Sequence, residues 1–266
     1  MEDPYVTIEN DGTVAILTLN RPASGNAIDI PTAQALHAAA DLLHAEGTAR
    51  AILLRANGAL FSGGGDIKAF SAAIAAGAAH ASSYMAELVP TFHRALQRLL
   101  DYDAPIIAAV QGPAAGAGMS LVLAADFSYL APGAKLVPAY AAIGLCGDGG
   151  ATWLLPRLCG LRKATEILML NTPIRPAEAV TLGLVTGALT EQGDEFQAAV
   201  LVRAKQLAAG PRTALSVLRR LLRDGADRSF ADQLGHEANG MARLAAEPEL
   251  AEGLRAIGEK RPPRFG

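Results

Sequence analysis

Three glycine-rich segments hold the residues best suited to chemistry. In Phe61-Ser62-Gly63-Gly64-Gly65-Asp66-Ile67-Lys68 three glycines stand in a row; they can take positive φ and leave main-chain N–H groups uncovered. Such groups can aim at a developing oxyanion, although an ordinary tight loop after a strand would read the same. Gln111 to Ser120 follows a short apolar run and opens an apolar stretch. Free N–H groups and the dipole at a helix start favour negative charge; close helix–sheet packing through small residues is the equal alternative. The third segment, Ile143 to Thr152, sets Asp148 alone among Gly144, Gly147, Gly149 and Gly150. That carboxylate would serve as N-cap of the following helix, or as a general acid/base whose pKa an apolar pocket raises. A tightly capping aspartate is a poor base, and this segment by itself favours the cap.

The elements that must position these segments follow from periodicity and punctuation. Val6 to Glu9 alternates, Asp11-Gly12 predicts a turn, and Val14 to Leu19 reads as a more buried strand. Pro31 to Glu46 has helical spacing and ends at Gly47. Short apolar runs at Ala51–Ala56, Ile106–Val110 and Phe127–Leu130 predict strands. Ser83 to Leu100 predicts a helix, and Gly116 to Ala125, apolar all round, a buried one. Ser71 to Ser83 is low in complexity, and Gly77 with the serines points to a flap or a loosely held helix. From about Gly149 the pattern is helical, interrupted at Leu184 to Leu189. The expectation is an α/β core over residues 1–194 and a helical region over residues 195–266.

Bulk properties narrow the function classes. The 266 residues can bury a sizeable core, and with 51% apolar but 5% aromatic residues it must be built from Ala, Val, Ile and Leu. A net charge of −3, with no basic run longer than Arg219–Arg220, weighs against nucleic-acid and anionic-membrane surfaces. Cys146 and Cys159 make no disulfide framework, and Cys146 reads as a small core residue. No His, Asp or Glu cluster has metal-ligand spacing, so no metal is expected. The acidic start Met1-Glu2-Asp3-Pro4 is no signal peptide and no apolar run is long enough to span a membrane, so a cytoplasmic protein is expected.

Asn20-Arg21-Pro22, Asn26-Ala27, FSGGGDIK, the Gln111 to Ser120 turn, GDGGAT and Arg261-Pro-Pro-Arg-Phe265 together resemble the crotonase (enoyl-CoA hydratase/isomerase) family, from about Tyr5 to the C-terminus. The resemblance implies an α/β fold, a spiral of β-β-α turns with a C-terminal helical trimerisation region, assembled as a homotrimer or homohexamer. It implies an acyl-CoA substrate, with coenzyme A part of that substrate and no separate cofactor. Gly65 and Ala117 N–H groups would form the oxyanion hole for the thioester carbonyl. Ala27, Gly63, Asp66 and Ile67 match positions lining the coenzyme-A path, and Lys260 would reach the phosphates.

Hydratases of the family use two glutamates, and their positions are filled here by Ser120 and Tyr140. Neither a serine nor a tyrosine with pKa near 10 does that work well at neutral pH. GLCGDGGATWLLPRL is similar to the phenylacetate-pathway epoxide and enoyl-CoA isomerases, which place a single catalytic aspartate where Asp148 stands; Gly147 replaces their usual proline. The implied reaction is a Δ3-to-Δ2 double-bond shift, or isomerisation of a ring epoxide, with Asp148 as acid/base and Ser120 and Tyr140 beside the substrate. The alternatives are a hydratase with an atypical site, a coenzyme-A-dependent dehalogenase using His80 or His93 as base, and a degenerate acyl-CoA binder.

Overall fold

The computed structural model describes residues 3–265; Met1 and Glu2 of the acidic start lie outside the described residues. The strands among them are β1 (Val6–Asp11), β2 (Val14–Leu19), β3 (Ala51–Ala56), β4 (Ile106–Val110), β5 (Ala114–Ala115), β6 (Phe127–Leu130), β7 (Leu136–Val137) and β8 (Gly187–Ala188). β1 and β2 form the expected hairpin, with Asp11 opposite Val14 across the turn at Gly12. From β2 onward the main sheet is parallel, in the order β1-β2-β3-β4-β6-β8. A parallel sheet covered on both faces needs strands apolar throughout. All residues of β2 and β4 are accordingly buried.

A second, smaller ladder runs beside the first. Ile28 bridges Gly65, Ser62 bridges Ala114, β5 pairs with β7, and Leu136 bridges Ile174. The chain therefore leaves each main strand, makes a short contact in the second ladder, then turns into a helix. That is the β-β-α spiral.

The helices are α1 (Ile30–Glu46), α2 (Ile67–Ala75), α3 (Ala78–Leu100), α4 (Ala117–Ala124), α5 (Ala151–Cys159), α6 (Leu161–Leu170), α7 (Pro176–Thr181), α8 (Gly193–Ala208), α9 (Arg212–Gly225), α10 (Phe230–Leu244) and α11 (Pro248–Gly258). In α1, Asp29 accepts from Thr32 N–H at the start and Gly47 ends it in a left-handed conformation. Thr32, Ala33, Leu36, Ala39, Ala40 and Leu43 line its buried face. All eight residues of α4 are buried, as its apolar sequence requires.

One expectation needs correcting: α3 begins at Ala78, not Ser83. Of the two readings of Ser71 to Ser83, a flap or a helix, the structure has helix: the end of α2 and the first turns of α3, broken at Ala76-Gly77. Alanine's helix propensity prevails everywhere except at Gly77, whose φ of +114° no alanine would tolerate.

The core has two faces. Leu17, Leu36, Leu54, Phe92, Leu96 and Val110 belong to the larger cluster. On the smaller side, Phe196, Val200, Ala204 and Ala208 of α8 pack against Val14, Ile16, Leu53, Ile107 and Ala109. Residues 195–208 thus cover the sheet.

α9 is tied to the core by charge. The Asp126 carboxylate accepts from Ile106 N–H at 2.8 Å, Arg219 Nε at 2.6 Å and Arg223 Nε at 3.0 Å. Arg219 Nη1 also donates to the carbonyls of Leu100 and Tyr102, and its side chain is only 9% exposed. Removing one partner of such a pair strands a buried charge, which costs about 3–5 kcal/mol. Asp126→Ala is expected to lose stability of that order in urea unfolding; a loss well under about 1 kcal/mol would show the pair to be an ordinary surface contact.

Candidate active site

The geometry starts from one parallel bridge. Ser62 faces Ala114, and Ala115 N–H donates to the Ser62 carbonyl at 2.8 Å. Parallel chains advance together, and two residues further on Gly64 and Gly116 come into contact, with Gly65 and Ala117 next in the chain. The two turns touch: a Cβ on Gly64, at φ +84°, would lie 2.7 Å from the Ala115 carbonyl oxygen. Among the described residues, neither Gly65 N–H nor Ala117 N–H donates to a protein acceptor. Ala117 is the first residue of α4, whose N-cap Gly116 has no side chain to fill the free donors. The Phe70 ring covers the other side of Gly65, where its Cζ would lie 2.3 Å from an added Cβ.

Tyr140 links these turns to Asp148. Its ring Cε1 lies 3.7 Å from where a Cβ of Gly116 would be, and its hydroxyl oxygen lies 2.7 Å from Asp148 Oδ1. Ser120 Oγ, fully buried one helical turn beyond Gly116, lies 2.9 Å from the Tyr140 hydroxyl and 2.9 Å from the Asp148 carbonyl oxygen. Three oxygen–oxygen contacts need three protons, and two hydroxyls supply two. With Asp148 ionised, one contact lacks a proton; with Asp148 protonated, carboxyl can donate to phenol, phenol to serine and serine to carbonyl. Burial pushes the Asp148 carboxyl above the usual carboxylate range, with the Tyr140 hydrogen bond, and then any positive charge on the nearby His93, pulling the other way. Burial, and then the Asp148 carboxylate, push the Tyr140 hydroxyl well above the ordinary phenol value, so it keeps its proton.

The expectation that Asp148 caps the next helix is wrong. α5 starts at Ala151 with Gly150 as N-cap and no side-chain cap. Gly149, Gly150 and Gly144 all have positive φ, and this path carries the carboxylate away from the helix end to Tyr140. Cys146 is exposed rather than in the core.

The other expected site residues fall into place unevenly. Gly63 is exposed and donates its N–H to the Gly25 carbonyl at 2.8 Å, Ala27 is buried, and Ile67 is 56% exposed. Asp66 is the N-cap of α2, accepting from the N–H groups of Lys68 and Ala69. His80 is exposed near the start of α3. His93 comes to the Asp148 loop, where its Nε2 accepts from Gly149 N–H at 3.0 Å. A cleft of about 1320 Å³ borders Asp148, His93, Trp153 and Leu154 without reaching Gly65 or Ala117. Among the described residues, no three His, Cys, Asp or Glu side chains are grouped to hold a metal ion, and no helix is long and apolar enough to cross a membrane.

Residues with no assigned part turn out to support the site. Asn26, 1% exposed, donates to the carbonyls of Asn57 and Leu60, and Gln111 Nε2 donates to those of Ala56, Gly58 and Leu60. Both amides hold the chain just before the first glycine turn. Gly64→Ala is expected to cost about 1–3 kcal/mol, because it combines left-handed strain with the clash at Ala115. Urea unfolding reads this, and an unchanged midpoint would mean that the turns do not abut.

The family model described as enoyl-CoA hydratase/isomerase matches residues 9–266. A Rhodobacter capsulatus protein named "Probable enoyl-CoA hydratase" is 34% identical, over 95% of this chain and 94% of its own. A Streptococcus mutans protein named trans-2-decenoyl-[acyl-carrier-protein] isomerase is 29% identical, over 96% and 95%. An Arthrobacter protein named 4-chlorobenzoyl coenzyme A dehalogenase-1 is 28% identical, over 97% and 92%. The crystal structure of an enoyl-CoA hydratase from Polaromonas superposes with a TM-score of 0.91 at 30% identity, covering 98% of this chain and 99% of that one. With the matched model spanning nearly its whole length, the chain belongs to the enoyl-CoA hydratase/isomerase family.

Proposed function

We propose that the chain is an enoyl-CoA isomerase that moves a double bond from Δ3 to Δ2, or isomerises the ring epoxide of an aryl-acetyl-CoA as the phenylacetate-pathway enzymes do. The observation that carries this is the Asp148 carboxyl, which lies against the Tyr140 hydroxyl, while the Tyr140 ring approaches the second glycine turn at Gly116. In the double-bond shift the Asp148 carboxylate takes a proton from the α-carbon of the thioester. The electron pair moves through the conjugated system onto the thioester oxygen, held by the N–H groups of Gly65 and Ala117. The protonated Asp148 then returns the proton to the γ-carbon, and the bond is left in conjugation. A carboxyl with a raised pKa suits both halves. Ala27, Gly63, Asp66 and Ile67 line the coenzyme-A path in this reading, with Lys260 toward the phosphates.

Hydration requires a second acid/base, and Tyr140, holding its proton above neutral pH, does not supply one. Ring dehalogenation requires a free base beside the aspartate. His93 is the one histidine at the loop, but its Nε2 lone pair is occupied by Gly149 N–H. The exposed Leu222, Phe230 and Met241 of α9 and α10 are proposed to meet other copies in a trimer or hexamer; a monomer in sedimentation would reject that.

Asp148→Asn is expected to lower isomerisation of a 3-enoyl-CoA by about 10²–10⁴-fold, with hydration of 2-enoyl-CoA as the control. A near wild-type rate would remove Asp148 from the reaction. The same variant is expected to unfold at a higher temperature than wild type at pH 7. A carboxyl that keeps its proton longer when folded loses stability as pH rises from the ordinary carboxylate range through its folded value. The asparagine escapes that loss, so the difference shrinks toward pH 4. Ala117→Pro deletes one N–H at a first helical position, where proline is tolerated. It is expected to cut kcat by about 10²–10³-fold; an unchanged kcat would exclude that N–H from the reaction.

A further inference from the structure

The Asp148 loop is poorly suited to hold anything still. It runs from Gly144 to Gly150 between a 3-10 turn at Ala141–Ile143 and α5, with four glycines and mostly exposed residues. Tyr140 holds the end of the carboxyl at 2.7 Å and reaches the Asp148 carbonyl oxygen only at 3.5 Å. The main chain carrying that carboxyl needs its own anchors, because a reacting group displaced by about 1 Å can lose 10²-fold in rate.

Those anchors converge on one peptide plane. The Asp148 carbonyl oxygen receives the Ala151 N–H at 3.0 Å and lies 2.9 Å from Ser120 Oγ. The N–H of the same peptide unit, on Gly149, donates to His93 Nε2 at 3.0 Å. A peptide unit is rigid, so gripping it at both ends fixes the torsions on either side and with them the direction of the Asp148 side chain. The next carbon is confined as well: a Cβ on Gly149 would lie 2.7 Å from Ser120 Cβ and 2.8 Å from Phe92 Cε1. Phe92 and His93 are adjacent on α3, so one helical step packs against Gly149 and accepts its hydrogen.

We propose that His93 is the positioning residue of the acid/base site: as a neutral imidazole protonated on Nδ1, it fixes the Asp148–Gly149 peptide through Nε2 and so aims the carboxyl. This rests on Asp148 being the acid/base. An amide N–H can only donate, which obliges Nε2 to be unprotonated. His93 therefore acts through the main chain and takes no proton from substrate or water.

Two substitutions separate positioning from base catalysis. His93→Gln places an amide oxygen near the position of Nε2 and can still accept, but it is no base; His93→Leu fills the space and cannot accept. With a 3-enoyl-CoA, His93→Leu is expected to lower kcat about 10- to 100-fold with KM within about twofold, and His93→Gln to recover most of that loss. Equal loss in both variants, or an unchanged kcat in His93→Leu, overturns the proposal. ¹⁵N NMR of the wild-type imidazole at neutral pH gives a readout that needs neither activity nor a folded variant. It is expected to show Nδ1 protonated and Nε2 as the acceptor; the opposite tautomer overturns the proposal. If the wild-type chain isomerises no enoyl-CoA, the reaction assigned to Asp148 has failed, and the NMR result still decides whether His93 holds the loop.

Discussion

The parallel pairing of Ser62 with Ala114 is the constraint on which the site depends. Both N–H groups proposed to hold the thioester oxygen lie on main chain, and main chain can be aimed only by register. The bridge sets that register, and every supporting contact near it serves the same end. Asn26 and Gln111 together grip the carbonyls of Ala56, Asn57, Gly58 and Leu60. Ser62 Oγ donates to the Asn26 carbonyl at 2.8 Å. Glycine at 64 then permits an approach to Ala115 that any side chain would block. A slip of one residue would turn the donors away, since successive N–H groups in an extended chain point to opposite sides.

Much of this was legible in the sequence because it depends on local chemistry. The apolar runs of β2, β3 and β4 announce buried parallel strands, and Gly47 marks the end of α1. The two glycine turns are visible for the same reason, since close approach of backbones leaves glycine as its trace. The start of α3 was hidden by Gly77 and two serines, which weaken a helix locally but are outvoted by its packed face at Leu88, Phe92 and Leu96. The placement of Asp148 was hidden differently. A cap is a contact over three residues, and local pattern favours it; the partner that wins, Tyr140, is drawn in by the fold. His93, 56 positions from Gly149, leaves no sequence signal at all.

Diverting Asp148 from α5 has a consequence for stability. The helix starts on Gly150 without a side-chain cap, and three nearby glycines adopt positive φ to let the carboxyl turn away. Local preference is thereby overruled at one place, as expected where a residue serves function rather than folding. The same choice buries a titratable group that is easier to keep neutral than charged. The chain of four oxygens bears on this, because the protonated carboxyl completes contacts that the ionised one leaves short of a proton. Proton affinity at Asp148 is a balance: burial raises it, and the Tyr140 hydrogen bond to the ionised carboxylate lowers it.

Relatives named for hydration, isomerisation and dehalogenation match this chain over nearly its full length at about 30% identity. A shared fold therefore supplies what those reactions have in common, and chemistry must be decided by side chains set around it. Main-chain donors suit the common part: substitution changes a side chain but leaves an N–H in place, except for proline. In the proposed reading the variable part of this chain is α4 with Ser120, the turn at Tyr140 and the loop of Asp148, whose oxygens lie in contact. Each contributes one oxygen-bearing side chain, and changing any one alters how many protons the cluster can hold. Selectivity among reactions is on this view a matter of proton count at a fixed carbonyl site, and the proposed reaction with one acid/base is the one that a serine and a tyrosine beside Asp148 would suit.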